Sequence, residues 1–179
     1  FMKYLHVSDK VVLLGGRRYV NTDAYSIQDV LEDIEPILAL PSQCADTGSG
    51  PERDEPPTED WRYEIYRNTD NLKNEKYPFN TYCAGNIGIS KALFKQVGGF
   101  DESFVHWGME DTEIGYRLYR NGAWFIPVVD AKALHQEPPG GSNETNRTEG
   151  REITESQFIE KCPAKYRPYV EGRTYEVPK

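Results

Sequence analysis

Long apolar runs are missing from this chain of 179 residues: 28% of them are charged and the mean hydropathy is −0.72. Nothing approaches the roughly 20 consecutive apolar residues that a membrane span requires. Basic charge is also short. The 21 Lys and Arg face 29 Asp and Glu, giving a net charge of −8 and a sequence pI near 5.0. That balance argues against a protein that reads nucleic acid through a clustered basic surface. Cysteine is scarce: Cys44, Cys83 and Cys162 are odd in number, widely spaced and unlike any zinc pattern. They read as reduced thiols of a cytosol-like compartment. There is no internal repeat, no signal peptide and no Asp-x-Asp triplet. Without a signal peptide, the sequons at Asn143 and Asn146 carry little weight.

What is present is enough apolar material, 37% of the chain, for one domain with a real core and no room for a second. Phe1-Met2-Lys3 opens without a methionine start, which reads as a piece cut from a longer protein. Val11 to Leu14 predicts a buried strand that stops at Gly15-Gly16 or extends through Arg17 to Val20. A helix is expected from near Ser26, with Ile27, Val30, Leu31 and Ile34 at helical spacing until Pro36, and a second apolar scrap follows from Ile37 to Leu40. Cys44 to Asp60 is acidic, rich in Gly, Ser and Pro and almost without apolar anchors, as in a mobile surface loop.

Trp61 to Arg67 predicts a short helix at the edge of a site. Tyr82 to Ile89 reads as a strand in which Gly85 marks a close approach to the backbone. Ser90 caps a helix over Lys91 to Val97 that Gly98-Gly99 ends. Trp124 to Val129 and Ala131 to His135 give a further strand, where Pro127 implies an edge or a bulge. Gln136 to Glu160 is polar and rich in Pro and Gly, as in a surface wrapping. Short strands alternating with helices spell an α/β layout, the second half of one rather than a complete doubly wound sheet.

The densest chemistry lies between Gly99 and Gly122, where Trp107-Gly108 leads into two adjacent carboxylates, Glu110 and Asp111, at the start of a helix. At about 100° per residue, Ile114 and Leu118 form the inward face; Glu110 and Asp111 flank it, and Thr112 and Glu113 point away. Two acids therefore look toward the interior or a cleft. The plain account of the same residues is acids complementing a helix dipole and a Glu113–Arg117 pair at i,i+4.

Trp107-Gly-Met-Glu-Asp111 resembles the W-G-x-E-D acceptor-side motif of glycosyltransferase family 2 and its GT-A relatives. Ala84-Gly85-Asn86, Gly98-Gly-Phe-Asp-Glu102 and His135-Gln-Glu137 accompany it, with Asp60-Trp-Arg62, Asn68-Thr-Asp-Asn-Leu72 and the Pro138 to Thr145 segment. Over residues 5 to 168, and most specifically 82 to 145, the chain closely resembles the first, hexosaminyl transferase domain of bacterial chondroitin polymerases and the related hyaluronan or heparosan synthases. The resemblance implies that residues 1–179 are a single partial domain, the C-terminal, acceptor-side half of a GT-A fold.

It implies an inverting transfer of N-acetylhexosamine, GlcNAc or GalNAc, from a UDP-sugar to a polysaccharide or related glycan. Asp111 is then the general base and Glu110 holds acceptor hydroxyls or orients the loop, roles that are open to exchange. Gly85 and Asn86 would line the donor sugar pocket and Trp107 with Gly108 would form a sugar-stacking wall; Trp107 is equally a core aromatic. His135 resembles a C-terminal ligand to Mn²⁺ or Mg²⁺ or to the diphosphate, and is otherwise structural. The D-x-D carboxylates of such enzymes would lie upstream of residue 1, so the isolated chain is expected to be inactive. The expected compartment is cytoplasmic, any peripheral attachment to the inner membrane lying in parts outside this chain. Two other readings use the same residues: a non-catalytic carbohydrate-binding or scaffolding module, and an animal-type galactosyltransferase C-terminal domain.

Overall fold

The computed structural model describes residues 1–22, 24–42, 60–136 and 147–163. In chain order these form α1 (Met2–Leu5), β1 (Val11–Val20), α2 (Ile27–Glu32), α3 (Glu35–Leu38), α4 (Arg62–Asn68), 3₁₀ turns at Pro78–Thr81 and Ala84–Asn86, β2 (Ile87–Ile89), α5 (Lys91–Gln96), α6 (Glu110–Arg120), β3 (Trp124–Gln136) and α7 (Arg147–Lys161). The α/β expectation holds. The sheet is small and mixed, in the order β2-β1-β3, with β1 antiparallel to β2 and parallel to β3.

β1 does not stop at its glycines. Gly15 and Gly16 lie mid-strand because neighbours crowd in: a Cβ on Gly15 would sit 2.3 Å from Asn86 Nδ2, and one on Gly16 would sit 2.0 Å from the Tyr63 hydroxyl. Here the register slips, Gly15 opposite Val128 but Gly16 opposite Lys132, so residues 129–131 bulge out of β3. Pro127 lies opposite Leu14 on β3, an edge strand of the sheet among the described residues, where a proline is tolerated. The strand foreseen from Tyr82 begins only at Ile87, and Gly85 belongs to a 3₁₀ turn. The close approach assigned to Gly85 falls instead on Gly15 and Gly16, since a Cβ on Gly85 would meet only Arg17 Cδ, at 3.7 Å.

The core gathers Val12 and Leu14 of β1, Phe79, Leu93, Ile114, Leu118 and Phe158 around one side of the sheet. The helix expected from near Ser26 is there as α2, and Ser26 caps it with a reciprocal Asp29 bond. Its apolar stripe, however, does not turn inward: Ile27 is 81% and Leu31 76% exposed, while Ile37 of α3 is buried. Asp60 departs further from expectation, being 1% exposed. The rest of the loop foreseen from Cys44, residues 43–59, lies outside the described residues, as do 137–146 of the foreseen wrapping.

Beyond those, the wrapping is a helix. α7 buries Thr154 and Phe158. It is tied to the turn before α6 by the Thr154 hydroxyl, which donates to the Trp107 carbonyl at 3.2 Å, and by the Lys161 ammonium, which donates to Ser103 Oγ at 2.8 Å and pairs with Asp101. α6 crosses the Pro78–Thr81 turn at Gly115, where a Cβ would lie 2.8 Å from both the Phe79 carbonyl oxygen and Tyr82 Cβ. Those atoms are anchored, so Gly115→Ala is expected to destabilise the fold by about 1–3 kcal/mol in chemical denaturation, although alanine gains about 1 kcal/mol of helix propensity. Gly85→Ala, with nothing nearer than 3.7 Å, is the matched control and should leave the midpoint unchanged.

Candidate functional site

The carboxylates at the head of α6 are delivered by a strained corner. Gly108 has φ +100° and Met109 φ +66°, and only the first is a glycine. Holding a methionine there costs on the order of 1 kcal/mol or more, a cost that local packing must offset. Thr154 Oγ1 and Arg151 Cγ stand 3.5 and 3.8 Å from where a Gly108 Cβ would be, and the Arg151 guanidinium lies 6.0 Å from the Trp107 ring centre. Trp107 is half-buried between the corner and α7, which supports packing and leaves part of its surface free.

Asp111 and Glu110 meet different surroundings. The Asp111 Oδ2 accepts a 3.0 Å hydrogen bond from the backbone N–H of Ala84. Burial nevertheless pushes its carboxyl up to about 6; the Ala84 bond, Arg17 and Arg62 oppose the rise and the neighbouring Glu110 carboxylate adds to it. Glu110 Oε2 is buried without a hydrogen-bond partner among the described residues. Glu113, foreseen as pointing away, is in fact buried. It pairs with Arg117 at 2.5 Å, and Arg117 in turn donates to the Gly99 carbonyl at 2.7 Å and to that of Val97. The reason is a second neighbour: the Gly98-Gly99 turn after α5 packs on the flank of α6 that a one-sided helix projection leaves to solvent.

Behind Ala84 lies a buried ion pair that local sequence patterns do not signal. Arg62, fully buried, donates from Nε to Asp60 Oδ1 at 2.9 Å and from a terminal nitrogen to Oδ2 at 2.5 Å. It also donates to the Gly15 carbonyl at 2.7 Å. The Arg17 backbone N–H donates to Asp60 Oδ2 at 3.0 Å. Burial acts to raise Asp60, but the hydrogen bond and charge of Arg62, with the charge of Arg17, outweigh it and hold the carboxyl below its usual range. Asn86 spans the bulge, its side-chain amide donating to the carbonyls of Gly16 at 2.8 Å and Ala131 at 2.7 Å. That amide nitrogen is spent on the backbone, so only the Asn86 carbonyl is free for a ligand.

His135 sits opposite Tyr19 in the β1–β3 register, the two rings edge to face at 4.9 Å. Among the described residues no three His, Cys, Asp or Glu are placed to hold a metal ion together. One imidazole does not fit a hard dication, which wants several oxygen ligands; the described residues do not make a Mn²⁺ or Mg²⁺ site by themselves. A shallow depression along α7, lined by Glu152, Ile153 and Gln157, includes none of the residues named above.

A half-buried carboxylate pair at a strained helix entrance, one of the two raised by burial, is a candidate site. A family model described as the N-terminal domain of galactosyltransferase matches residues 66–129. The chain is 40% identical over 167 residues to the chondroitin synthase of Escherichia coli, covering 93% of this chain and 24% of that protein. It is 36% identical to the chondroitin synthase of Pasteurella multocida, over 99% of this chain and 19% of the relative. The hyaluronan synthase of Pasteurella multocida is 37% identical over 89% of this chain and 16% of its own length. The chain resembles the GT-A glycosyltransferases, and among them it is similar to these polysaccharide synthases. It spans less than a quarter of their length.

Because the fold holds Asp111 at about 6 against an ordinary 3.8, ionising it costs the folded state roughly 1–3 kcal/mol near neutral pH. The folded-state value is raised, so this cost is absent while the group is protonated in both states and develops as pH climbs from about 4 through about 6. Asp111→Asn is therefore expected to stabilise the chain in urea at about pH 8 and not at about pH 3.5. Equal midpoints for the two proteins at both pH values would mean that the carboxylate is solvated.

Proposed function

We propose that the full-length protein is an inverting glycosyltransferase that moves N-acetylhexosamine, GlcNAc or GalNAc, from a UDP-sugar to a polysaccharide or related glycan acceptor. The observation that carries this reading is the Asp111 carboxyl, half-buried, raised to about 6 and oriented by Ala84, beside a Glu110 oxygen with no described partner. The resemblance to chondroitin and hyaluronan synthases supplies the donor and acceptor classes.

In this mechanism an acceptor hydroxyl attacks the anomeric carbon. The new C–O bond forms as the bond to the diphosphate oxygen breaks, and the hydroxyl proton passes to Asp111. A carboxylate near 6 is ionised at neutral pH yet basic enough to take that proton in the transition state. Glu110 Oε2 accepts a hydrogen bond from the acceptor sugar and gains there the partner it lacks. Trp107 offers its remaining surface to a sugar face, and Gly85 leaves room beside Arg17 for the donor.

A divalent cation, Mn²⁺ or Mg²⁺, belongs to this proposal for the full-length protein, with His135 as the single ligand contributed here. The compartment proposed is the cytoplasm. The galactosyltransferase family model over residues 66–129 supports a second reading, in which the donor carries galactose. Competition between UDP-galactose and the UDP-N-acetylhexosamines distinguishes the two. A non-catalytic module would transfer from none of them.

In the full-length protein, Asp111→Asn is expected to lower kcat by roughly 10² to 10⁴ with little change in UDP affinity. Wild-type kcat/KM should fall about tenfold per pH unit below about 6, as the base becomes protonated. Near-normal turnover of the variant places the base elsewhere. His135→Ala should raise the Mn²⁺ concentration needed for half-maximal activity; an unchanged metal requirement returns His135 to a structural role.

A further inference from the structure

Two arginines follow Gly16 in β1, and strand alternation separates them. Arg18 donates to the carbonyls of Leu40 at 2.5 Å and Leu38 at 2.7 Å, closing the end of α3. Arg17 lies with its Cδ 3.7 Å from where a Gly85 Cβ would stand, and its guanidinium is 5.6 Å from the centre of the Tyr19 ring. The other neighbour of that ring is His135.

The Arg17 side chain is only 13% exposed, yet no described residue accepts a hydrogen bond from it; its buried Nε has the Asp60 carboxylate, 3.8 Å away, as an ion-pair partner only. Asp60 compensates it only in part. The nearest approach is 3.8 Å, and both Asp60 oxygens are already engaged by Arg62 and by the Arg17 backbone N–H. Two guanidiniums thus share the Asp60 carboxylate, with Asp111 as a further acidic neighbour, and the Arg17 fork keeps N–H donors without an acceptor on a side chain whose Cδ lies beside Gly85. A guanidinium this desolvated without an acceptor is costly, and its fork fits a phosphate or carboxylate.

We propose that Arg17 anchors an oxyanion of the substrate, either a phosphate of the leaving nucleoside diphosphate or the carboxylate of an acidic acceptor sugar. The proposal rests on the transferase reading for the identity of the substrates. It adds a residue that no motif marks.

Calorimetry on the full-length protein with UDP, with an oligosaccharide ending in an acidic sugar and with a neutral oligosaccharide tests it. Arg17→Met should weaken one of the two anionic probes by about tenfold or more, the loss of one charge-assisted contact, and leave the neutral one unchanged. Arg17→Lys, which keeps the charge and loses the fork, should fall between. Loss confined to UDP assigns the phosphate; loss confined to the acidic oligosaccharide assigns the carboxylate. Unchanged affinity for both in a variant with the wild-type melting temperature overturns the anchor, as does a wild type that binds neither. If Arg17→Met does not fold, Arg17→Lys decides, equal affinity for both probes overturning the proposal. A wild type that binds UDP in an Arg17-dependent way but transfers no sugar refutes the transferase reading and leaves the anchor standing.

Discussion

The ion pair between Asp60 and Arg62 is the contact on which the packing of β1 against the start of α4 depends, because one fully buried guanidinium bonds a carboxylate from its own segment and the backbone of a distant strand. Such a pair is not a source of net stability, since desolvation consumes most of what the charges gain. What it supplies is position. Removing either partner strands a buried charge, at about 3–5 kcal/mol, and releases Gly15, Arg17 and the start of α4 together. Ala84, which orients Asp111, follows the Pro78–Thr81 turn that Arg62 also reaches.

From that anchor the geometry propagates through small residues. Gly15 and Gly16 let Asn86 and Tyr63 close on the strand, and the bulge at residues 129–131 gives Asn86 a second carbonyl to hold. Gly115 lets α6 lie against the Pro78–Thr81 turn. Asp111 at the head of α6 is therefore fixed from behind by a backbone contact, while Glu110 Oε2 and Arg17 Nε are among the buried polar atoms that make no hydrogen bond to the described residues.

Where the signal was local and periodic, the sequence was legible: Ser90 caps the helix it was expected to cap, a helix begins next to Ser26 as expected, and Ile114 and Leu118 face the core. It failed where burial depends on distant partners. Asp60 closes an acidic, loop-like stretch, yet Arg62 and β1 draw it inside. Glu113 looked solvated because only one neighbour of α6 was considered. α7 escaped notice because its buried positions include Thr154 and Gly150 as well as Phe158, so its apolar stripe is thin. Of the site, Glu110, Asp111, Trp107 and His135 stood out by motif, whereas Arg17 carries no pattern and gains meaning only beside Asp60 and Gly85.

α7 also sets an order of assembly. Its Thr154 hydroxyl reaches back 47 residues to Trp107, and Lys161 reaches back 60 to Asp101. Contacts of such separation form late, after the local helices and turns, because the chain between must first surrender its freedom. During synthesis the head of α6 leaves the ribosome well before the helix that packs on its corner, so Gly108 and Met109 lack the Thr154 and Arg151 contacts that back their costly conformation until α7 docks. The geometry of this corner is thus the last thing the segment acquires as it folds and the first it gives up when α7 detaches.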